Sequence, residues 1–343
     1  MFTKLKNLFQ TLFLLVFCYF IFNADLLIYG IEQGKGQLSI IANTQNINEL
    51  MLDTSTPDSV KLKLSYTYKI RNFAFDSLGL NKTDNYTTYY DLQQKPLIWV
   101  VTACQKYKLQ AHEWSYSFLG KMPYKGFFKK EKAWVEYYKM KDLGYDVSLG
   151  TVGGFSTLGW FTDPVLSSML EDSEGELAEL LLHELTHSTL FVKDSASFNE
   201  NLAQFIGEKG AEQYLVSYYG KEANQLKEYT LLKKKEVLLD SLVVSEAKLL
   251  NELYNDKSFE AKSVIEKEIA KQEFINQFAD KIENQFGKND RTKRLIKKIK
   301  KNQNTFFMQF IRYNSKHTSF EDELNKKYNR NIKEYLNALK LVY

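Results

Sequence analysis

The sequence predicts an α+β protein, mostly α, in which a small sheet lies between a helical N-terminal part and a helical C-terminal domain. Three observations predict it. An apolar, helix-favouring run from about Glu174 to Val192 contains His183-Glu184-Leu185-Thr186-His187. Leu97-Ile98-Trp99-Val100-Val101-Thr102-Ala103 has the composition and length of a buried strand, and Tyr145 to Phe161 reads as two more around Gly150, Gly153 and Gly154. After Pro164 the chain has no proline, so long helices are the natural reading of the rest.

Composition bounds the organisation. With 343 residues, 44% hydrophobic and 26% charged, the chain can bury a real core in one large domain or two small ones, and disorder is not indicated. The net charge of +4 is uneven: residues 221–343 hold 26 Lys plus Arg against 18 Asp plus Glu, which is +8 and leaves −4 for residues 1–220. The expected divisions are 1–24, 25–220 as the core that carries the histidines, and 221–343 as a charged helical region.

The elements follow in order. Lys4 and Lys6 precede an apolar run from Leu8 to Phe22, with Asp25 after it. That pattern predicts a signal anchor, or a signal peptide, with the remainder exported: a single-pass protein of the cell membrane, or one secreted to the periplasm. Leu26 to Leu52 reads as helical, and Thr56-Pro57 starts a second helix running to about Ser77. Tyr86 to Tyr90 is an aromatic loop, for which packing outweighs substrate stacking. Trp114 to Phe118 is a short strand. Cys18 lies in the apolar segment, so no disulfide can form within the rest of the chain, and Cys104 reads as a small buried residue. Leu231 to Leu253 and Ser258 to Phe286 are charged helices, and Asn302 to Tyr343 supplies the last ones. Arg291 to Lys301 carries seven basic residues in eleven. No aromatic interleaving accompanies them, so a solvated helix face is preferred and no nucleic acid is expected as a partner.

The chemistry concentrates on the histidine pair. On a helix, residues four apart share a face, so His183 and His187 can point ring nitrogens at one ion while Glu184 reaches a water beside it. With four His in the chain, composition gives this five-residue pattern by chance in fewer than about one such chain in a hundred. A catalytic zinc site uses three protein ligands. Glu200, opening a second helix that folds back on the first, would complete a His, His, Glu set. Ser197 and Glu200 also have the S-x-x-E spacing of a helix cap, and both readings can hold together. Glu208 and Glu212 rank below Glu200 as ligands.

Ser156-Thr157-Leu158-Gly159-Trp160-Phe161-Thr162-Asp163-Pro164, the H-E-L-T-H helix, Asp194 and Phe198-Asn199-Glu200 resemble the bacterial putative aminopeptidase family of zincin-type, thermolysin-like zinc metallopeptidases. Upstream, Gly36-Gln37-Leu38, Leu78-Gly79-Leu80, Tyr86 with Tyr89, Pro123-Tyr124-Lys125-Gly126 and Gly144-Tyr145-Asp146-Val147 fall in the family's order. The resemblance implies a zincin-like core, Zn²⁺ on His183, His187 and Glu200, Glu184 as the general base, and a peptide as substrate. Members often carry a cysteine pair where this chain has Ser115 and Lys121, so that disulfide is missing here. Gly153 and Gly154 are the expected contacts for substrate backbone, laid as an added strand beside the metal helix. Asp194 and Asn199 are expected to support the ligands from behind. An oxyanion donor is also required, and twenty-two tyrosines leave it unassigned. The alternative is a non-catalytic, membrane-tethered helical scaffold that keeps the zinc site for folding.

Overall fold

The computed structural model describes residues 24–116, 120–151, 162–193, 195–313 and 317–343. It is 66% helical with small sheets, in agreement with the α+β, mostly α expectation. In chain order the elements are α1 (Ala24–Ala42), β1 (Gln45–Asn46), α2 (Ile47–Leu52), α3 (Asp58–Asp76), β2 (Thr88–Tyr90), β3 (Trp99–Gln105), β4 (Trp114–Tyr116), β5 (Gly120–Met122), β6 (Lys125–Phe127), α4 (Lys130–Asp142), β7 (Tyr145–Thr151) and β8 (Val165–Leu166). A 3₁₀ turn (Ser167–Glu171) then leads into α5 (Glu174–His187), α6 (Ala196–Tyr219), α7 (Asn224–Asn255), α8 (Lys257–Glu260), α9 (Val264–Phe286), α10 (Asp290–Asn302), α11 (Asn304–Tyr313), α12 (His317–Tyr328) and α13 (Ile332–Val342).

The expected single-pass anchor is corrected. The apolar segment 8–22 lies outside the described residues, and among the described residues no helix is long and apolar enough to cross a membrane. The helix that follows is committed to protein instead. On α1, the Tyr29 hydroxyl and the Gln33 amide both donate to the Gly126 carbonyl, at 2.8 and 3.2 Å, which ties α1 to β6.

The strands form three small ladders among the described residues. β3 is central in one, antiparallel to both β6 and β7, with Val101 opposite Leu149. β2 joins β1 antiparallel and β8 parallel, with Tyr89 opposite Val165. β4 and β5 form a hairpin in which Ser115 faces Lys121.

Helix α5 starts where a capping box places it. The Glu176 amide donates to Ser173 Oγ, and the Ser173 amide donates back to the Glu176 carboxylate, which satisfies two otherwise free amides. The helix then buries Leu177, Leu181, Leu182 and Leu185 completely. Their partners are Leu202, Phe205, Ile206 and Tyr214 of α6, Leu64, Ile70 and Phe73 of α3, and Phe320, Tyr335 and Leu336 of the last two helices, all in one apolar cluster. At roughly 1.5–3 kcal/mol for each fully buried large side chain, this cluster fixes the α5–α6 pair. A second cluster joins Val243, Leu250, Phe278, Ile282, Phe306 and Phe307, and a third packs α4 on the β3 ladder through Ala133, Met140, Val101 and Val147.

The basic helix α10 buries Ile299 and Thr292, with Leu295 and Ile296 packed on the second cluster, while Arg291, Arg294 and Lys298 stay outside. Cys104 is fully buried, and burial pushes its thiol up to about 12. It packs as a small core residue.

Candidate metal centre

The histidines lie in the last turns of α5, and Glu200 in the second turn of α6. Helix α6 begins at Ala196 with Ser195 as its cap residue and no side-chain capping bond, so Ser197 lies inside the first turn. Its hydroxyl and carbonyl accept from the Asn201 amide. The S-x-x-E cap does not form, and Glu200 faces the histidines. The connection between the helices is short because Asn199, buried, bonds the backbone of Val192 in both directions at 2.8 Å. That pair of bonds anchors the start of α6 against the end of α5. Asp194, Gly153 and Gly154 lie outside the described residues.

The Nε2 atoms of His183 and His187 stand 3.2 Å apart. The Glu200 carboxylate is 3.6 Å from His183 Nε2 through Oε2 and 3.7 Å from His187 Nε2 through Oε1. One ligand atom from each residue lies within 4.8 Å of the others, the arrangement of a group that could hold a metal ion. His187 is 5% exposed at its side chain and His183 16%, while Glu200 at 41% forms the open side. Burial lowers the His187 pKa most, the charge on His183 lowers it further, and together they bring it to about 4 against the pull of Glu200. For His183 burial acts downward, but Glu200, Glu184 and Glu179 outweigh it and its pKa is raised. A site that favours one neutral imidazole beside a carboxylate presents lone pairs to a cation.

Behind the three candidate ligands, one turn back along α5 and one to two turns on along α6, lies a polar layer of which sequence reasoning names only Glu208, and as a ligand of lower rank. Gln204 donates to Glu179 at 3.0 Å and to Glu208 at 2.6 Å. Lys233, from α7, bonds Glu179 at 2.9 Å and Glu208 at 3.1 Å. The Tyr229 hydroxyl donates to Glu179 at 2.7 Å. The spacing of Glu179 four before His183, and of Gln204 and Glu208 four and eight after Glu200, is the signal that could have located the carboxylates. Nothing local points to Lys233. Tyr86 also went unassigned. It is fully buried, and burial, then Glu184, then Asp163 raise its pKa.

A family model described as "Putative aminopeptidase" matches residues 28–342. The chain belongs to that family. No curated protein and no solved structure matches it. Membership supports an enzyme that hydrolyses peptides, and therefore a peptide as its substrate.

Proposed function

We propose that this aminopeptidase-family chain is a zinc-dependent metallopeptidase with a zincin-like core, in which His183, His187 and Glu200 hold Zn²⁺ and Glu184 is the general base. The observation that carries the reading is the convergence of two imidazole nitrogens, 3.2 Å apart, with a carboxylate whose Oε2 lies 3.6 Å from one ring nitrogen and whose Oε1 lies 3.7 Å from the other. Ligands at roughly 2.0–2.2 Å around a tetrahedral ion stand about 3.3–3.6 Å apart; one ligand atom from each residue lies within 4.8 Å of the others, so the donor set fits zinc once the Glu200 carboxyl turns one oxygen toward both rings. Bound Zn²⁺ would polarise the scissile carbonyl and make a water acidic near neutral pH.

The chain's own residues supply the proton traffic and the frame. Glu184 follows His183 directly and is half-buried, open enough to meet a water at the site. It takes a proton from the attacking water and delivers it to the leaving nitrogen. Asn199 holds the α5–α6 connection through Val192 and so keeps Glu200 opposite the histidines. Asp194 is proposed as a further support for a ligand, and Gly153 and Gly154 as the contact for substrate backbone.

Glu184→Gln tests the reading. The variant should keep zinc, one per chain, and lose hydrolysis of internally quenched peptides and of amino-acid anilides alike. Full activity in the variant would remove Glu184 as the base, and a wild-type protein that binds no zinc would remove the metal. Comparing the two substrate types on the wild type separates cleavage at a free N-terminus from internal cleavage.

A further inference from the structure

Helix α10 keeps its charges on one half of its circumference. Thr292, Ile299 and Asn302 are buried, Leu295 and Ile296 pack on the second apolar cluster, and the seven cations between Arg291 and Lys301 are all exposed. Among the described residues, the one ion pair these cations make is Lys293 with Asp290, 3.6 Å apart, with side chains 71% and 84% exposed. A pair so open to water neutralises little.

The helix does not need this charge for its own stability. Lys300 and Lys301 lie in the last turn, at the negative end of the helix dipole, where cations are favoured. Arg291 and Lys293 lie in the first turn, at the positive end, where they are disfavoured. Lys293 with Lys297, Arg294 with Lys298, and Lys297 with Lys301 are like charges four residues apart, which repel. A surface that holds charge against its own helix is suited to a partner of opposite sign.

The form of the surface narrows that partner. The apolar side of α10 is already in the core, so the helix has nothing to sink into acyl chains, and contact stays at the level of headgroups. Its 13 residues spread the cations over roughly 20 Å of a convex half-cylinder. Five of the seven are lysines, point charges on flexible stems that suit many dispersed anions better than forked recognition of one phosphate. No aromatic or amide side chain stands among the exposed residues of the helix to stack on a base or read its edge.

We propose that the outer face of α10 docks the protein on an anionic lipid surface, met from one side, with its lysines and arginines against the headgroup phosphates. Neither the metal nor peptide hydrolysis enters this inference.

The test mixes the full chain with vesicles of neutral phosphatidylcholine and with vesicles containing about one-third phosphatidylglycerol, at low salt and at about 0.5 M salt, where screening is nearly complete. The neutral vesicles set the baseline. Binding should exceed it on anionic vesicles at low salt, and the excess should vanish at high salt. Arg291→Gln, Lys293→Gln, Arg294→Gln and Lys297→Gln combined should weaken the anionic-vesicle affinity about 100-fold or more, at roughly fivefold per cation. The thermal midpoint of that variant should stay level or rise, because cations leave the first turn. Lys293→Arg with Lys297→Arg keeps the charge and should keep the binding. Anionic vesicles bound no better than neutral ones would overturn the inference, as would the fourfold variant binding like the wild type. A DNA duplex bound more tightly than the anionic vesicles would give the face to nucleic acid and overturn the lipid reading.

Discussion

Gly207 on α6 lies so close to Glu179 on α5 that a Cβ added to it would stand 2.8 Å from the Glu179 carbonyl oxygen, and 3.2 Å from His183 Cβ. The missing side chain is what lets the two helices that carry the candidate ligands approach at this level. Gly207→Ala should therefore push α5 and α6 apart just behind the proposed metal ligands. Overpacking of this kind costs about 1–3 kcal/mol, more than the gain in helix propensity from replacing glycine, about 1 kcal/mol. Zinc affinity, measured by competition with a chelator, should fall at least about tenfold, as for other changes that disturb the support of metal ligands. Unchanged affinity and stability would mean that the helices have slack there.

Lys233 bonds both Glu179 and Glu208, with Nζ–O distances of 2.9 and 3.1 Å, and its own side chain is 18% exposed. Lys233→Met leaves those carboxylates facing each other in a largely closed setting. Removing one partner from a buried group costs about 3–5 kcal/mol, and the remaining exposure reduces this to about 2–3 kcal/mol. The sign with pH is defined. Burial already raises the Glu179 pKa, and losing the lysine raises it further, so the folded variant holds a proton that its unfolded form has released. Its stability should fall as pH rises from the usual carboxylate range toward neutrality. Urea unfolding at pH 5 and pH 8 checks this.

The two histidines differ in their response to acid. His187 is held at about 4, below its ordinary 6.5, so the unfolded chain binds a proton between those values that the folded chain refuses. Its contribution to stability is complete above about pH 6.5 and is lost as pH falls toward 4. His183, raised by its carboxylate neighbours, contributes with the opposite sign, present below 6.5 and lost as pH rises through its folded value. In chelator, His187→Gln should flatten the acid limb of the thermal midpoint against pH, and a limb as steep as that of the wild type would contradict the assignment.

What was legible in the sequence was legible for local reasons. The start of α5 follows from Ser173 and Glu176, and the pairing of His183 with His187 follows from helical periodicity, both within one or two turns. The end of α5 was read too far, to Val192, because the apolar run continues past His187. The helix stops there because Asn199 takes up the backbone of Val192 and turns the chain back, a contact that no periodicity encodes. Helix α4 was not read at all. Its inward face offers Ala133, Glu136 and Met140, with Glu136 held by the Trp114 indole and Lys125, so the apolar repeat is too weak to see. Lys233 reaches the layer behind the candidate site from a distant helix, and Tyr86 is buried by residues far from it in sequence. Only the packing of the whole chain brings them there.

The hairpin of β4 and β5 offers a test of strand register that does not involve the metal. Ser115 and Lys121 are opposite one another in the ladder, and opposed residues in an antiparallel pair have Cα atoms about 4.5–5.5 Å apart, inside the range that a disulfide spans. The pair Ser115→Cys and Lys121→Cys should therefore oxidise without moving the backbone. Mispairing is opposed by the state of Cys104, which is buried and has its thiol pushed up to about 12, leaving little thiolate to attack a new bond. The lysine gives up only an exposed 3.8 Å pairing with Glu113, of small value. Closing so short a loop should stabilise the fold by about 2 kcal/mol at most. The expected result is a thermal midpoint a few degrees higher that returns to the wild-type value on reduction. Two thiols that remain free under an oxidising buffer would mean that the strands pair in another register.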